Sequence, residues 1–140
     1  MHLPDTNVWL ALAFEAHLHH KAARGWFEKQ NVEVCYICRL TQMGFLRLAT
    51  NEKIFKQDTL TLSDAWSCYD SFLSDHRIEY SQEPLRLEYL WREYTMFEQY
   101  SPKVWNDAYL AAFARAGELT LVTFDKGFTH FKNLDLNLLS

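Results

Sequence analysis

A chain of 140 residues with no low-complexity run and no linker rich in Pro, Gly or Ser is one domain, 1–140, and an apolar fraction of 49% with 16% aromatics supplies a dense core and a self-association surface. The formal net charge of −4 excludes a protein that grips nucleic acid through a broad basic face, but not a nuclease whose carboxylates hold a divalent cation. No apolar run reaches the roughly 18–20 residues of a membrane span and no secretion signal opens the chain, so the expectation is a cytoplasmic protein without a membrane partner.

The N-terminus reads as a very short buried strand, Leu3-Pro4, that stops at Asp5 and passes into the apolar helix Val8–Phe14, with Thr6 or Asn7 as N-cap. An acid at the carboxyl end of a strand and beside a helix N-terminus sits where open α/β sheets collect ligands. A second helix, Leu18–Lys29, carries Ala22, Ala23, Trp26 and Phe27 on one face. The histidines before it, His17, His19 and His20, have no acidic partner at ligand spacing and read as a solvated helix entry. Val32–Cys38 follows as a buried strand. Its Cys35 and Cys38 spell C-x-x-C, but residues three apart on a strand face opposite sides, and with three cysteines in all a disulfide framework is not expected. Leu40–Thr50 is helical, with Gln42, Phe45, Leu46 and Ala49 on its inward stripe.

The middle of the chain is architectural. Ser63 caps a helix with the stripe Ala65, Trp66, Tyr69, Phe72 and Leu73; Arg77–Tyr80 is a short strand; Pro84 opens a helix bearing Leu87, Leu90, Trp91, Tyr94 and Phe97. Ser101 and Pro102 then punctuate the start of a helix that runs to Ala116 and ends at Gly117, placing Asp107 on the same face as Leu110, Ala111 and Ala114. A carboxylate on an apolar stripe needs a cap, a basic partner or a metal. The strand Leu119–Phe124 ends, like the first, at an acid, Asp125; Leu134, Leu136 and Leu138 repeat at period two as a last strand. Parallel strands present their carboxyl ends on one edge, so Asp5 and Asp125 can meet there with Asp107, and like charges gathered at neutral pH are tolerated chiefly when a cation shares them.

Four stretches in this order resemble the motifs of PIN-domain ribonucleases, and more narrowly the VapC-type toxins of bacterial toxin–antitoxin pairs: Asp5-Thr6-Asn7; Arg39–Asn51; Asn106–Ala114; and Leu121–Phe128. The resemblance spans essentially the whole chain. It implies an α/β, three-layer PIN-like fold with a short central parallel sheet flanked by helices, an acidic pocket holding Mg²⁺ or Mn²⁺, a homodimer, and neutralisation by a VapB-type antitoxin. Carried onto this chain, it makes Asp5, Asp107 and Asp125 the metal-binding acids, with Asn7 and Thr123 as supporting polar positions. Many members have glutamate where Gln42 stands; glutamine can bond a metal-bound water but supplies neither charge nor a general base.

The activity implied is metal-assisted hydrolysis of RNA phosphodiester bonds to 5′-phosphate and 3′-hydroxyl ends, on tRNA or another structured RNA, with Asp5, Gln42, Asp107 and Asp125 as the catalytic set and Arg47 and Lys126 as phosphate contacts. The alternative is a PIN-like domain that binds RNA or protein without cutting, because Gln42 replaces the glutamate. A haloacid-type phosphatase is disfavoured, since that chemistry wants an acid two residues after Asp5, where Asn7 stands.

Overall fold

The computed structural model describes residues 1–140. Their order is β1 (His2–Pro4), α1 (Thr6–Ala13), α2 (His20–Glu28), β2 (Cys35–Ile37), α3 (Arg39–Ala49), α4 (Glu52–Phe55), α5 (Leu62–Ser74), β3 (Ile78–Tyr80), α6 (Leu87–Tyr94), α7 (Val104–Ala116), β4 (Thr120–Thr123) and β5 (Leu136–Leu138). All strand pairs are parallel, in the order β3-β2-β1-β4-β5. Parallel neighbours cannot be joined by hairpins, so helices carry the crossovers and cover both faces.

Burial alternates across the sheet accordingly. Cys35, Ile37, Ile78 and Val122 face a core filled by Val8 and Trp9 of α1, Trp26 of α2, Phe45 of α3 and Tyr69 of α5. Leu3 and Leu121 face the opposite way, onto Leu110 and Phe113 of α7. Behind α7, Leu90 and Tyr94 of α6 pack on Ala108, Ala111 and Ala112, all three fully buried. Alanines let α7 lie close to the sheet and to α6 at once. The three-layer parallel α/β fold expected from the sequence is the one observed.

β1 is central yet ends in proline. Asp5 N–H donates to the Val122 carbonyl at 2.8 Å on the β4 side, so by alternation the donor that Pro4 lacks would have faced β2. Pairing of β1 with β2 is confined to His2↔Cys35, so that missing donor breaks no rung. The Pro4 carbonyl is satisfied instead by Trp9 Nε1–H at 3.1 Å, which ties the first helix back to the strand that precedes it.

Differences from the sequence reading concentrate at helix ends. Asp5, rather than Thr6 or Asn7, caps α1, its Oδ1 accepting from Thr6 N–H at 2.7 Å. Thr61, two residues before Ser63, caps α5 by accepting from Asp64 N–H at 3.1 Å. α7 begins at Val104 with no side-chain cap; Ser101 contributes only its carbonyl, to Val104 N–H. Pro84 lies before the first turn of α6, which follows Arg86 at φ 73, and Phe97 lies past its end. Gly117 ends α7 in the right-handed region, and the positive φ falls on Glu118. Each of these ends offers several polar residues within two or three positions, and tertiary packing selects which one meets the free amides. The stretch around C-x-x-C contracts to Cys35–Ile37, with Cys35 and Cys38 buried as free thiols.

Trp9→Phe removes the indole donor, leaves the Pro4 carbonyl unpaired and opens a small void. The urea midpoint should fall by the equivalent of about 2–3 kcal/mol with an unchanged m-value.

Candidate active site

Strand register builds the site. Pro4 lies opposite Val122, so Asp5 and Thr123 leave the carboxyl edge side by side. From β1 the chain winds outward through β2 and β3, and from β4 through β5, so β1 and β4 flank the point where the winding reverses. That reversal opens the crevice in which doubly wound sheets bind their ligands.

Thr123, fully buried, organises the crevice. Its hydroxyl donates to Asp5 Oδ2 at 2.9 Å and accepts from Asp125 N–H at 3.0 Å and from Asn7 Nδ2 at 3.4 Å. A hydroxyl has one proton and two lone pairs, and all three are used. Asp5 Oδ1 is held by Thr6 N–H, and Asp125 Oδ1 accepts from Gly127 N–H at 2.8 Å. Asp107 enters from the first turn of α7.

The acids sense one another. Burial pushes the Asp5 carboxyl up to about 6, against the pull of its bonds to Thr123 and Thr6, and the Asp107 and Asp125 charges add to the rise. Burial, then the charge of Asp125, raises Asp107 as well. Burial of Asp5 and Asp107 beside other carboxylates is what a cation would relieve.

Two clefts flank the acids. One, of about 750 Å³, is lined at one end by Asp5, Thr6, Asn106 and Asp107 and runs along α3 to Trp66 of α5. The other, of about 590 Å³, begins on the far side of Asp107. On α3 the residues that line the first cleft are Leu40, Met43, Gly44, Leu46, Arg47 and Leu48. Gly44 is required there: a β-carbon would stand 2.7 Å from Thr6 Oγ1. Arg47 lines that cleft together with Asp5 and Asp107.

Gln42 does not. It stands two residues before Gly44, roughly 200° away around the helix, and its Oε1 accepts from Arg39 Nη1 at 2.5 Å, while Arg39 stacks 5.0 Å from the centre of the Tyr80 ring. Gln42 lines neither cleft, and neither do Asn7, Thr123 and Asp125. Lys126 is exposed and also lines neither. The sequence reading missed Thr6, Gly44 and Asn106; the i, i+3, i+4, i+7 spacing of Leu40, Met43, Gly44 and Arg47 was the available signal.

Asp5, Asp107 and Asp125 offer oxygen ligands only, and Asn7 adds a buried Oδ1 with no hydrogen-bond partner. By donor type this set fits a hard divalent cation such as Mg²⁺ or Mn²⁺. No three acid, histidine or cysteine side chains converge into a closed ligand cluster in this conformation. The histidines stay apart from this chemistry: His17 Nδ1 accepts from His19 N–H, His20 Nδ1 lies 2.7 Å from the Ala11 carbonyl, and His19 stacks on Phe124 at 4.3 Å.

Fold and site together define an open, doubly wound α/β domain with an acidic centre at its switch point. A family profile described as PIN domain matches residues 3–134, and the chain belongs to the PIN domain family. Ribonuclease VapC41 of Mycobacterium tuberculosis (strain ATCC 25618 / H37Rv) is 45% identical to it over 145 residues, covering 100% of this chain and 99% of its own. Two solved structures share the fold at 17% identity. VapBC2 from Rickettsia felis, bound to a DNA fragment from its promoter, superposes with a TM-score of 0.73 over 99% of this chain and 98% of its own. Mycobacterium tuberculosis VapC20, a sarcin–ricin loop cleaving toxin, does so at 0.68 over 96% and 98%.

With its folded-state value near 6 and its ordinary one at 3.8, Asp5 binds more protons in the folded than in the unfolded chain between those values. In the presence of a chelator, stability should fall by up to about 3 kcal/mol from this group as pH rises from about 4 to about 6.5. Asp5→Asn, which keeps a capping side chain, should flatten that slope in urea melts taken across the range; parallel slopes would contradict the buried, repelled state of Asp5.

Proposed function

We propose that this protein is a VapC-type endoribonuclease that hydrolyses RNA phosphodiester bonds with Mg²⁺ or Mn²⁺. In this reading it acts in the cytoplasm as a homodimer and is held in check by a VapB-type antitoxin. The observation that carries the reading is the Thr123 hydroxyl binding Asp5 and the Asp125 backbone into one acidic crevice with Asp107, in a chain 45% identical to a protein named a ribonuclease. The VapBC2 complex among its structural neighbours supports the antitoxin as partner.

In this mechanism Asp5, Asp107 and Asp125 hold the divalent cation, with Asn7 Oδ1 available beside them. The bound cation supplies acidification of water and neutralisation of charge developing on the phosphoryl oxygens. Thr123 and Thr6 N–H fix the Asp5 carboxylate so that its geometry is set before substrate arrives. Arg47, on the wall of the same cleft, takes a phosphoryl oxygen of the RNA. Water oxygen bonds to phosphorus and the bond to the 3′ oxygen breaks, leaving a 5′-phosphate and a 3′-hydroxyl. With Gln42 committed to Arg39, α3 supplies no general base.

A second reading, a domain that binds RNA or protein without cutting, is favoured by one observation, the open arrangement of the acids. Purified protein incubated with total RNA and Mn²⁺ or Mg²⁺ separates the two readings. The wild type should degrade RNA and Asp5→Ala should not; equal decay in both removes the nuclease. Independently of activity, millimolar Mn²⁺ should raise the melting temperature by several degrees, since saturation to about 100 times Kd adds about 2.7 kcal/mol. Asp107→Asn should blunt that shift, and a melting curve indifferent to Mn²⁺ would remove the cation from the mechanism.

A further inference from the structure

The cleft on the far side of Asp107 has a chemistry unlike that of the rest of the chain. It lies between the end of α6, the start of α7 and the turn after β4. Its walls carry Lys103, Arg115, His130 and Lys132, interleaved with the rings of Phe97 and Phe131. Against three permanent cations stand Asp107 at its mouth and Glu93, 3.7 Å from Arg115. On a chain of net charge −4 this is a local inversion of sign, placed directly beside the acidic crevice.

Two details bear on a ligand. Arg115 is held by Glu93, its Nη1 3.7 Å from Oε1, and by Tyr94, its guanidinium 5.3 Å from the ring centre, so the free cations of the cleft are Lys103 and Lys132. Phe97, past the end of α6, leaves 51% of its surface exposed at the edge of the cleft although nothing in the core calls for an aromatic ring there. Cations alternating with open aromatic faces are what single-stranded nucleic acid requires, phosphates on the charges and unstacked bases on the rings. The two clefts are about equally apolar, and the cations set this one apart: the cleft along α3 carries only Arg47.

We propose that this cleft holds the nucleotide adjoining the scissile phosphate of an RNA strand, its phosphate on Lys103 and Lys132 and its base against Phe97. The position relative to the cut rests on the ribonuclease reading; the binding chemistry does not. Asp107 borders both clefts, so a strand whose scissile phosphate lies at Asp5 and Asp107 continues into this one without leaving the protein.

The test uses the full chain, a short fluorescein-labelled oligouridylate and a chelator, so that binding is read without cleavage. Lys103→Ala/Lys132→Ala should weaken binding about tenfold at low salt. It should also flatten the log–log salt dependence by about 1.4, from two lost single-strand phosphate contacts. Phe97→Ala should weaken binding about fivefold or more with the salt slope unchanged. Lys21→Ala/Lys29→Ala, within and just after α2 and lining neither cleft, should bind as wild type. All these positions are exposed, and melting curves verify folding. Absence of oligouridylate binding by wild type, wild-type affinity and slope in the double variant, or equal affinity for a polyglutamate peptide would each overturn the proposal. If the variants lose oligouridylate while wild type cuts no RNA in Mn²⁺, the cleft stands and the nuclease falls. If RNA is cut and the variants bind and cut as wild type does, the reverse holds.

Discussion

The hydroxyl of Thr123 is the constraint on which the site depends. A threonine on a central strand would normally be a modest packing residue, yet here its proton and both lone pairs are committed, to Asp5, to the Asp125 backbone and to Asn7. Because the group is fully buried, none of these bonds is exchanged with water, and each fixes an element: the end of β1, the turn after β4 and the first turn of α1. Two acids more than a hundred residues apart in sequence are thereby held at one crevice by a single oxygen.

The sheet explains why that oxygen is where it is. Reversal of winding between β1 and β4 leaves no crossover above their carboxyl ends, and the register Pro4↔Val122 brings Asp5 level with Thr123. Burial of acids beside one another is a cost the fold carries: burial first, and the neighbouring charges after it, displace the Asp5 and Asp107 carboxyls upward. Sites of this kind trade stability for readiness to bind charge.

Much of this was legible in the sequence, for a local reason. Asp5 and Asp125 each follow a short apolar run and precede a helix or turn, so their place at a strand end follows from the pattern alone, and Thr123 is carried along by its strand. Asp107 was readable because a carboxylate interrupts an otherwise apolar face. Gln42 shows the limit. Helical periodicity identifies α3 and its buried residues, but that helix is half-buried on two sides, and only the approach of Gly44 to Thr6 decides which stripe faces the acids. The helix caps failed for the same reason, several candidates standing close together. The basic cleft was invisible because Lys103 and Arg115 flank the two ends of α7 while His130 and Lys132 come from the turn after β4, with no common spacing.

Proline at the end of β1 has an effect on how the crevice is held. With β1 and β2 sharing one rung and no amide proton at Pro4, the backbone ladder stops short of the crevice on that side, and an indole donor closes it. The floor beneath the acids is thus knitted by side chains on one flank and by main chain on the other. On the indole flank a residue of α1 fixes the strand end that carries Asp5, so the first helix and the strand it follows are coupled through one side chain.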